Sequence, residues 1–224
     1  MLCIPIIAQN SDEAITKIAE AASVADMVEI RLDLMESFDL KTIISASAKP
    51  VLVTYRTRGE GGAGAADYLT HIGYLKNAIE LGAALVDIEY RVPLEFRRTL
   101  FLDRGRSKLV ASAHLLHETP SRAHLGKLLK RMAATEADIV KIVTYATCWE
   151  DNLRVLELIP QARALGIEII AFCMGPLGKI SRVFSSLLGS YMTFASLGPG
   201  QESASGQISI GEMKQLMEMF FHDD

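Results

Sequence analysis

Lys141 lies in the middle of an apolar run, Ile-Val-Lys-Ile-Val, at positions 139–143. Such a run of β-branched residues is typical of a strand that is buried on both faces. An ammonium group there is costly unless it is paired or gives up its proton. A lysine whose pKa is lowered by burial is a nucleophile toward carbonyl carbons and forms a Schiff base with them. By residue type alone, a lysine that extends along its strand to solvent is the commoner case.

Polar and charged side chains stand at the ends of most other apolar runs of the chain. Glu29 and Arg31 are two positions apart, so they project from the same face of one strand. For any single residue of this kind, a solvated loop position or an ion pair at the rim is the commoner explanation. Agreement across several strand ends favours one shared pocket instead. The other candidates are Arg56, Glu60, Asp87, Glu89, His114, Arg182, Ser203 and Gln207.

Short apolar runs recur along the chain, with stretches of helical character between them. The spacing from each run to the next is about the length of one βα unit. Eight such units predict an α/β protein, a (β/α)8 TIM barrel in a single domain over residues 1–224. An open doubly wound sheet is the alternative, although a closed barrel has the advantage of leaving no edges. The runs begin at Leu2, Met27, Val51, Leu85, Lys108, Asp138, Ile167 and Tyr191.

Helix boundaries are predicted from capping residues. Ser11 is expected to cap the first helix, and Pro120 to occupy the first position of the helix after the fifth apolar run. Gly82 and Gly166 lie where helices should end before the next strand. The apolar spacing in residues 209–221 predicts a last helix.

The chemistry of this set is coherent if the strands form a barrel, because their C-terminal ends then meet at one face. Lys141 forms an imine with a ketone, and the protonated imine acidifies the neighbouring C–H bond. His114 suits the acid/base partner, since the unperturbed pKa of histidine is about 6.5. Arg31, Arg56 and Arg182 suit an anionic, hydroxylated substrate through forked hydrogen bonds. The sequence predicts imine chemistry on a small polyhydroxy keto compound with a carboxylate or phosphate group.

Six segments in a fixed order carry a more specific resemblance. They are Glu29-Ile-Arg31-Leu-Asp33, Tyr55-Arg56 with Glu60-Gly-Gly, Ser112-Ala-His114, Asp138-Ile-Val-Lys141-Ile, Ile180-Ser-Arg182 and Ser203-Ala-Ser-Gly-Gln207. In these segments the chain resembles the type I 3-dehydroquinate dehydratases of the shikimate pathway of aromatic amino acid biosynthesis. The resemblance covers essentially the whole chain. It implies a TIM barrel that converts 3-dehydroquinate to 3-dehydroshikimate and water, with no metal and no organic cofactor.

The resemblance also implies roles for individual residues. Lys141 would form the Schiff base and His114 would act as the general acid/base. The substrate-binding residues would be Glu29, Ile30, Arg31, Arg56, Glu60, Arg182, Ser203 and Gln207. The family relation further allows a homodimer, and fusion to shikimate dehydrogenase in a longer natural chain.

The chain departs from the family pattern at several positions. Pro5 stands where many members have a serine on the first strand, and Phe172 stands where a methionine is common beside the imine. Leu115 and Leu116 replace the acidic and aromatic residues that usually follow the histidine. These departures bear on first-strand contacts and on pocket packing more than on the chemistry.

Composition excludes several classes of protein. The net charge is −4, without a basic run, which disfavours a nucleic-acid partner. The 3 cysteines are scattered, which favours reduced thiols in a cytoplasmic protein over a disulfide scaffold or zinc knuckle. The N-terminus does not resemble a signal peptide. No apolar run reaches the length of about 18 residues that a membrane span needs.

Three other functions are alternatives for this sequence. A class I Schiff-base aldolase acting on a phosphorylated, sugar-like substrate would use the same lysine chemistry. The glycine pattern at residues 59–64 matches a dinucleotide-binding motif, but Glu60 inside it would repel a pyrophosphate. A non-catalytic barrel is disfavoured by the presence of both Lys141 and His114.

The other histidines are not predicted to belong to the site. His71, His117 and His124 are expected at the surface, as is His222 in the tail.

Overall fold

The computed structural model describes residues 1–221, and the prediction for His222 lies outside this part. Eight parallel strands form one sheet with the order β7-β6-β5-β4-β3-β2-β1-β8. The predicted barrel is therefore confirmed, and every strand overlaps the apolar run that predicted it, although β5, β6 and β7 continue one or two residues beyond their runs. That residues 1–224 form one domain stays a prediction. The strands are β1 (Leu2–Ile6), β2 (Met27–Arg31), β3 (Val51–Thr54), β4 (Leu85–Glu89), β5 (Lys108–His114), β6 (Ile139–Tyr145), β7 (Glu168–Met174) and β8 (Thr193–Phe194).

Helices connect the strands and cover the outside of the barrel. Gly82 and Gly166 follow two of them with φ of 86° and 70°, the left-handed conformation that ends a helix and favours glycine. Among residues 1–221, no helix is long and apolar enough to cross a membrane. The helices are α1 (Ser11–Ala21), α2 (Leu40–Ala46), α3 (Tyr68–Glu80), α4 (Leu94–Leu102), α5 (Arg122–Ala133), α6 (Glu150–Leu156), α7 (Leu158–Ala164), α8 (Lys179–Leu188) and α9 (Ile210–Phe221).

The barrel is not fully closed by strand pairing. β8 is 2 residues long and pairs only with β1, where Leu2 and Cys3 face Thr193 and Phe194. Within the described chain no ladder joins β7 to β8. The two edges are instead linked by the Tyr191 backbone N–H, which donates to the Ile169 carbonyl at 2.7 Å. The expectation of a barrel without edges is therefore met at every junction but this one.

Side chains on the inner face of the strands form two kinds of layer. Met27, Leu52, Leu85, Val110 and Ile139 belong to one apolar cluster that fills the N-terminal end of the barrel. Two positions further along the same strands, and thus on the same face, the side chains become polar or charged. These positions hold Glu29, Thr54, Asp87, Ser112 and Lys141, all of which are buried. The charged layer therefore rests on a dry apolar floor.

Two predicted helix starts are wrong, by one and by two residues. Asn10, not Ser11, caps α1, because its side chain accepts from the Glu13 N–H at 3.0 Å while the Ser11 hydroxyl accepts from the Asp39 N–H. The helix after β5 begins at Arg122 behind the cap Ser121, so Pro120 precedes it.

His71 corrects another expectation, since it is 0% exposed. Its ring packs 5.0 Å from the ring of Tyr55, and neither ring nitrogen has a hydrogen-bond partner. Burial lowers the pKa of His71 to about 4, so the ring is neutral at neutral pH and packs as an aromatic residue. His117 and His124 are exposed as predicted.

Candidate active site

A cavity of about 60 Å³ opens at the C-terminal ends of the strands, where it has room for only a few water molecules. Its walls combine cations, the carboxylate of Glu29 and apolar side chains, which come from five strands, from the residue after β3, from α8 and from the loop after β8. Entry of a larger ligand requires this loop or neighbouring side chains to move. The lining residues are Glu29, Arg31, Arg56, His114, Lys141, Val143, Phe172, Met174, Arg182, Phe194, Ser203, Ala204 and Gln207.

Lys141 projects from the middle of β6 into the charged layer and is 4% exposed. Its Nζ donates to Asp87 Oδ2 at 3.2 Å and lies 3.9 Å from Glu29 Oε1. On its other side, Nζ lies 4.4 Å from the centre of the Phe194 ring, a cation–π contact. The ammonium is thus paired on one side and apolar on the other. In its neutral form, this amine would be a nucleophile that faces the cavity.

Asp87 is the carboxylate that organises this layer. It accepts a hydrogen bond from the Ser112 hydroxyl at 2.6 Å, in addition to the one from Lys141. Its Oδ2 also lies 2.8 Å from Arg56 Nη2, close enough for an ion pair but without the alignment of a hydrogen bond. Burial alone would raise the pKa of Asp87, but the charges of Arg56 and Lys141 outweigh burial and hold the pKa well below its usual range.

Arg56 follows β3 and connects the carboxylates of the site. Its Nη1 donates to the Ser112 hydroxyl at 2.8 Å and lies 3.4 Å from Glu89 and 3.5 Å from Glu60. Glu89 is held in turn by the backbone N–H and the hydroxyl of Thr57, at 2.7 and 2.8 Å. One buried guanidinium therefore serves three carboxylates, which compensates the cost of burying each charge.

Glu60 and His114 form a titratable pair near Lys141. Glu60 Oε2 lies 2.9 Å from His114 Nδ1 and accepts from the His114 backbone N–H at 3.2 Å. Because Nδ1 is engaged by Glu60, the other ring nitrogen, Nε2, is left free for a ligand in the cavity that His114 lines.

The protonation of this pair follows from its burial. Burial raises the pKa of Glu60 to about 8, with Glu89 and Asp87 adding to the rise and Arg56 opposing it. Burial, followed by the charges of Arg56 and Lys141, lowers the pKa of His114 well below its ordinary value. Below pH 8 the pair therefore shares one proton, which leaves as the pH rises through the pKa of Glu60.

Glu29 and Arg31 of β2 line the cavity but are held differently. Glu29 accepts from the Thr54 hydroxyl at 2.7 Å. Arg31 makes a bidentate ion pair with Asp33, at 2.8 and 2.7 Å. Asp33 also accepts from the Arg56 backbone N–H, so it fixes the ends of β2 and β3 relative to one another.

Arg182, in the first turn of α8, is 1% exposed and has few partners. Its guanidinium lies 4.5 Å from the centre of the Phe172 ring, and Nη2 donates to the Ser205 carbonyl at 3.2 Å. Its Nε has no hydrogen-bond partner. Burial lowers the pKa of Arg182 to about 10, so the group stays cationic at neutral pH. A buried guanidinium with an unused donor is suited to bind an anion.

The loop after β8 covers the cavity beside Arg182. Gln207 accepts from the Ser203 backbone N–H at 2.7 Å and donates to the Ser203 hydroxyl at 3.0 Å. The loop is docked onto the end of β7, where the Gly175 N–H donates to the Ser205 carbonyl at 3.1 Å. Gly206 has a φ of 79°, and a Cβ there would lie 2.2 Å from the Gly175 carbonyl oxygen, so glycine is required at this contact.

The structure brings together nine of the ten residues predicted for the site. The exception is Ile30, whose side chain packs in the apolar layer outside the barrel and leaves only its backbone near the site. Of the nine, Glu60 alone does not line the cavity, because it lies behind it, against His114. Pro5 pairs with Glu29 across β1 and β2 and adds no polar group.

Three residues that position the site, Asp87, Ser112 and Asp33, have no role predicted from the sequence, although Asp87 is among the candidates for the shared pocket. All three follow the two-residue alternation of their strands with residues that were recognised, Glu89, His114 and Arg31. That alternation was the available signal, because it places each of them on the same face as a predicted site residue.

Comparison with known proteins identifies relatives over the full length of the chain. Residues 2–224 match the sequence model of the family described as type I 3-dehydroquinase. A 3-dehydroquinate dehydratase of Thermococcus gammatolerans is 36% identical over 214 residues, which cover 96% of each chain. The chloroplastic bifunctional 3-dehydroquinate dehydratase/shikimate dehydrogenase of Arabidopsis thaliana is 36% identical over 222 residues, and the match spans only 36% of that longer protein.

The fold gives the same result. The crystal structure of 3-dehydroquinate dehydratase from Geobacillus kaustophilus superposes with a TM-score of 0.89 at 25% identity, covering 99% of this chain and 92% of that one.

The Glu60–His114 pair generates a titration that can be observed directly. In protein labelled with 15N-histidine, we expect the His114 ring signals to change near pH 8, as Glu60 loses its proton and accepts from Nδ1–H. Glu60→Gln should abolish this transition and leave His114 neutral from pH 6 to 9, because burial and the nearby cations disfavour imidazolium. The matched control is Glu150→Gln, at an exposed helix position. A transition near pH 8 that persists in Glu60→Gln would contradict this assignment.

Proposed function

Because the chain belongs to the type I 3-dehydroquinase family, we propose that it converts 3-dehydroquinate to 3-dehydroshikimate and water in the shikimate pathway. The observation that carries the proposal is the position of Lys141. Its amine is buried between Asp87 and Phe194 and faces the same cavity as His114. A dry amine next to an acid/base group is what imine chemistry on a ketone requires.

The proposed reaction begins with attack of the Lys141 amine on the substrate ketone. Loss of the carbonyl oxygen as water gives an iminium ion, which withdraws electrons from the neighbouring carbon. His114 Nε2 removes a proton from that carbon, and the electron pair forms an enamine. The enamine expels the hydroxyl group on the next carbon, which leaves as water with the proton returned by His114. Addition of water to the remaining iminium then releases the conjugated ketone and restores the amine.

Glu60 supports this role of His114 through the opposite ring nitrogen. Once the pH exceeds its pKa of about 8, Glu60 is ionised and accepts from Nδ1–H, which fixes the tautomer with a basic Nε2 and stabilises the imidazolium that forms after proton abstraction. Arg56 already contacts Asp87 and Ser112, so only part of its hydrogen-bonding capacity is left for the ring hydroxyls of the substrate.

We assign the substrate carboxylate to Arg182. This guanidinium is buried, retains an unused donor and lies under the loop that carries Ser203 and Gln207. The Ser203 hydroxyl and the Gln207 amide, which now bond to one another, could each exchange that bond for one to the substrate. Glu29 and Arg31 are left to contact the ring hydroxyls.

The aldolase alternative shares the lysine but has no observation in its favour. A phosphorylated substrate would call for several phosphate-binding groups after β7 and β8. Of the cations that line the cavity, only Arg182 lies near that side. The absence of a metal or organic cofactor and a cytoplasmic location both stay predictions.

We also propose that the protein is a homodimer and that α8 contributes to its interface. Ile180, Phe184 and Leu188 lie on one side of this helix at 42%, 37% and 44% exposure, and the Phe220 ring of α9 lies 5.4 Å from the Phe184 ring, tilted by 59°. A contiguous apolar surface of this kind is typical of an interaction site. Light scattering should give twice the monomer mass, and Phe184→Glu should give the monomer. A monomeric wild-type protein would rule the dimer out.

Fusion to a second enzyme, as in the Arabidopsis protein, stays a prediction for a longer chain.

The imine can be tested by trapping it. With 3-dehydroquinate present, the protein should generate the absorbance of a conjugated enone. Borohydride added during turnover should reduce the imine and inactivate the protein, and mass spectrometry should find the adduct on the peptide that contains Lys141. Lys141→Ala should abolish both turnover and trapping.

A lysine outside the site provides the control for this experiment. Lys108 is exposed at the start of β5, and Lys108→Ala should trap substrate as the wild type does. An adduct on a lysine other than Lys141, or normal turnover by Lys141→Ala, would refute the proposed chemistry.

The carboxylate assignment predicts a loss on Arg182→Lys even though the charge is kept. A guanidinium can donate two parallel hydrogen bonds to a carboxylate, whereas an ammonium is a point charge. The expected loss in kcat/KM corresponds to about 1.5–3 kcal/mol, the range for a hydrogen bond to a charged group. Gln207→Ala should cost less because its amide is neutral. Steady-state kinetics at fixed pH and salt decide the matter, and an Arg182→Lys variant with wild-type kinetics would move the carboxylate elsewhere.

A further inference from the structure

Few direct contacts hold the guanidinium of Arg182 in place. Its one hydrogen bond goes to the Ser205 carbonyl, which belongs to the loop that covers the cavity. Its other close neighbour is the face of the Phe172 ring. No carboxylate of the described chain forms an ion pair with it. The location of this side chain therefore depends on how the first turn of α8 is fixed to the rest of the barrel.

The start of α8 lacks a cap of its own. The residue before the helix is Gly178, which has no side chain to accept from the free N–H groups of the first turn. Gly178 also approaches β7 closely, since a Cβ there would lie 2.6 Å from the Cys173 carbonyl oxygen. A capping side chain is thus sterically excluded at this position, and the partner has to come from another element.

Asn152 of α6 supplies that partner. Its Oδ1 accepts from the Ser181 backbone N–H at 3.3 Å. Its Nδ2 donates to the carbonyls of Leu177 and Trp149, at 2.9 and 3.2 Å. Asn152 is 2% exposed, so these bonds are shielded from water. A single buried amide thereby joins the turn before α8, the first turn of α8 and the start of α6.

Ser181 provides a second attachment, to the strand. Its hydroxyl accepts from the Cys173 backbone N–H at 2.8 Å and donates to the Gly178 carbonyl at 2.8 Å. Cys173 directly precedes Met174, a residue that lines the cavity. Arg182 is the next residue after Ser181, so its backbone is fixed from two directions, by α6 and by β7.

The first turn of α6, which carries Asn152, is itself held by buried hydrogen bonds. Asp151, the neighbour of Asn152, is 0% exposed and accepts from the backbone N–H groups of Thr147 and Cys148 and from the Thr147 hydroxyl, at 2.7, 3.2 and 3.0 Å. These bonds anchor the first turn of α6 to the end of β6, the strand that carries Lys141. The amide of Asn152 is therefore connected, through short covalent and hydrogen-bonded steps, to the strand that holds the reacting amine.

We propose that Asn152, together with Ser181, is a positioning residue that sets the distance between the Arg182 guanidinium and Lys141, and thereby the affinity for the substrate carboxylate. The inference rests on the proposed function of Arg182. A substrate held at one end by a covalent bond to Lys141 tolerates little displacement of the group at its other end.

The test is Asn152→Leu, which keeps the approximate volume and removes the acceptor and both donors. We expect KM for 3-dehydroquinate to rise on the order of ten-fold, while kcat stays within about two-fold, because Lys141 and His114 lie on other elements. The matched control is Asn10→Leu, which removes the exposed cap of α1 and should lower the melting temperature without changing KM.

A double-mutant cycle separates positioning from simple loss of stability. If Asn152 acts through Arg182, then in the Arg182→Lys background Asn152→Leu should change KM by less than about two-fold. A full additional rise in that background, or an unchanged KM in the single variant, would overturn the inference. Should Asn152→Leu fail to fold, Ser181→Ala takes its place in the same cycle, with the same expectation.

The Arg182→Lys variant distinguishes the proposed carboxylate contact of Arg182 from the proposed positioning role of Asn152. If this variant binds substrate as the wild type does, the proposed carboxylate contact fails, and the role of Asn152 fails with it. If Arg182→Lys raises KM but neither Asn152→Leu nor Ser181→Ala does so, only the positioning role is refuted.

Discussion

The contact of one carboxylate, Asp87, with two cations is the interaction on which the site depends. Lys141 and Arg56 enter the barrel from different strands, and both would carry a large desolvation cost without it. Asp87 and Arg56 are buried with their charges intact because each stabilises the other. The arrangement also explains how a lysine can lie in a strand interior of this composition. The apolar floor of the barrel excludes water from below, which strengthens every electrostatic contact in the layer above it.

The pattern of strands and the two reacting groups could be predicted because both follow from simple periodicity. His114 is the last residue of β5 and Lys141 lies in the middle of β6, and parallel strands in a barrel bring the side chains of their inner faces together. The partners of Lys141 could not be predicted. Asp87 and Glu89 share a face of β4, and which of them reaches the amine depends on the stagger between β4, β5 and β6. Ile30 was included because it lies between two site residues, although strand alternation turns its side chain outward.

Errors at the helix ends and at His71 have tertiary causes. Ser11 and Asn10 are both good caps, and Ser11 is taken out of competition by the Asp39 N–H of the next helix. His71 was expected at the surface because histidine is polar. It lies four residues before Leu75, on the face of α3 that packs against the barrel, and this spacing was a usable signal. A buried neutral ring without partners is a packing solution that composition does not reveal.

The pairing order of the strands has a consequence for how the protein is made. Every ladder joins strands that are adjacent in sequence, except for the two residue pairs between β1 and β8. We therefore expect a chain emerging from the ribosome to bring Glu29, Asp87, His114 and Lys141 together through local contacts before the covering loop has been synthesised. Assembly of the charged layer precedes its enclosure, so water can solvate the buried ions while they find their partners. The loop that covers the site is thus synthesised after every strand that lines it.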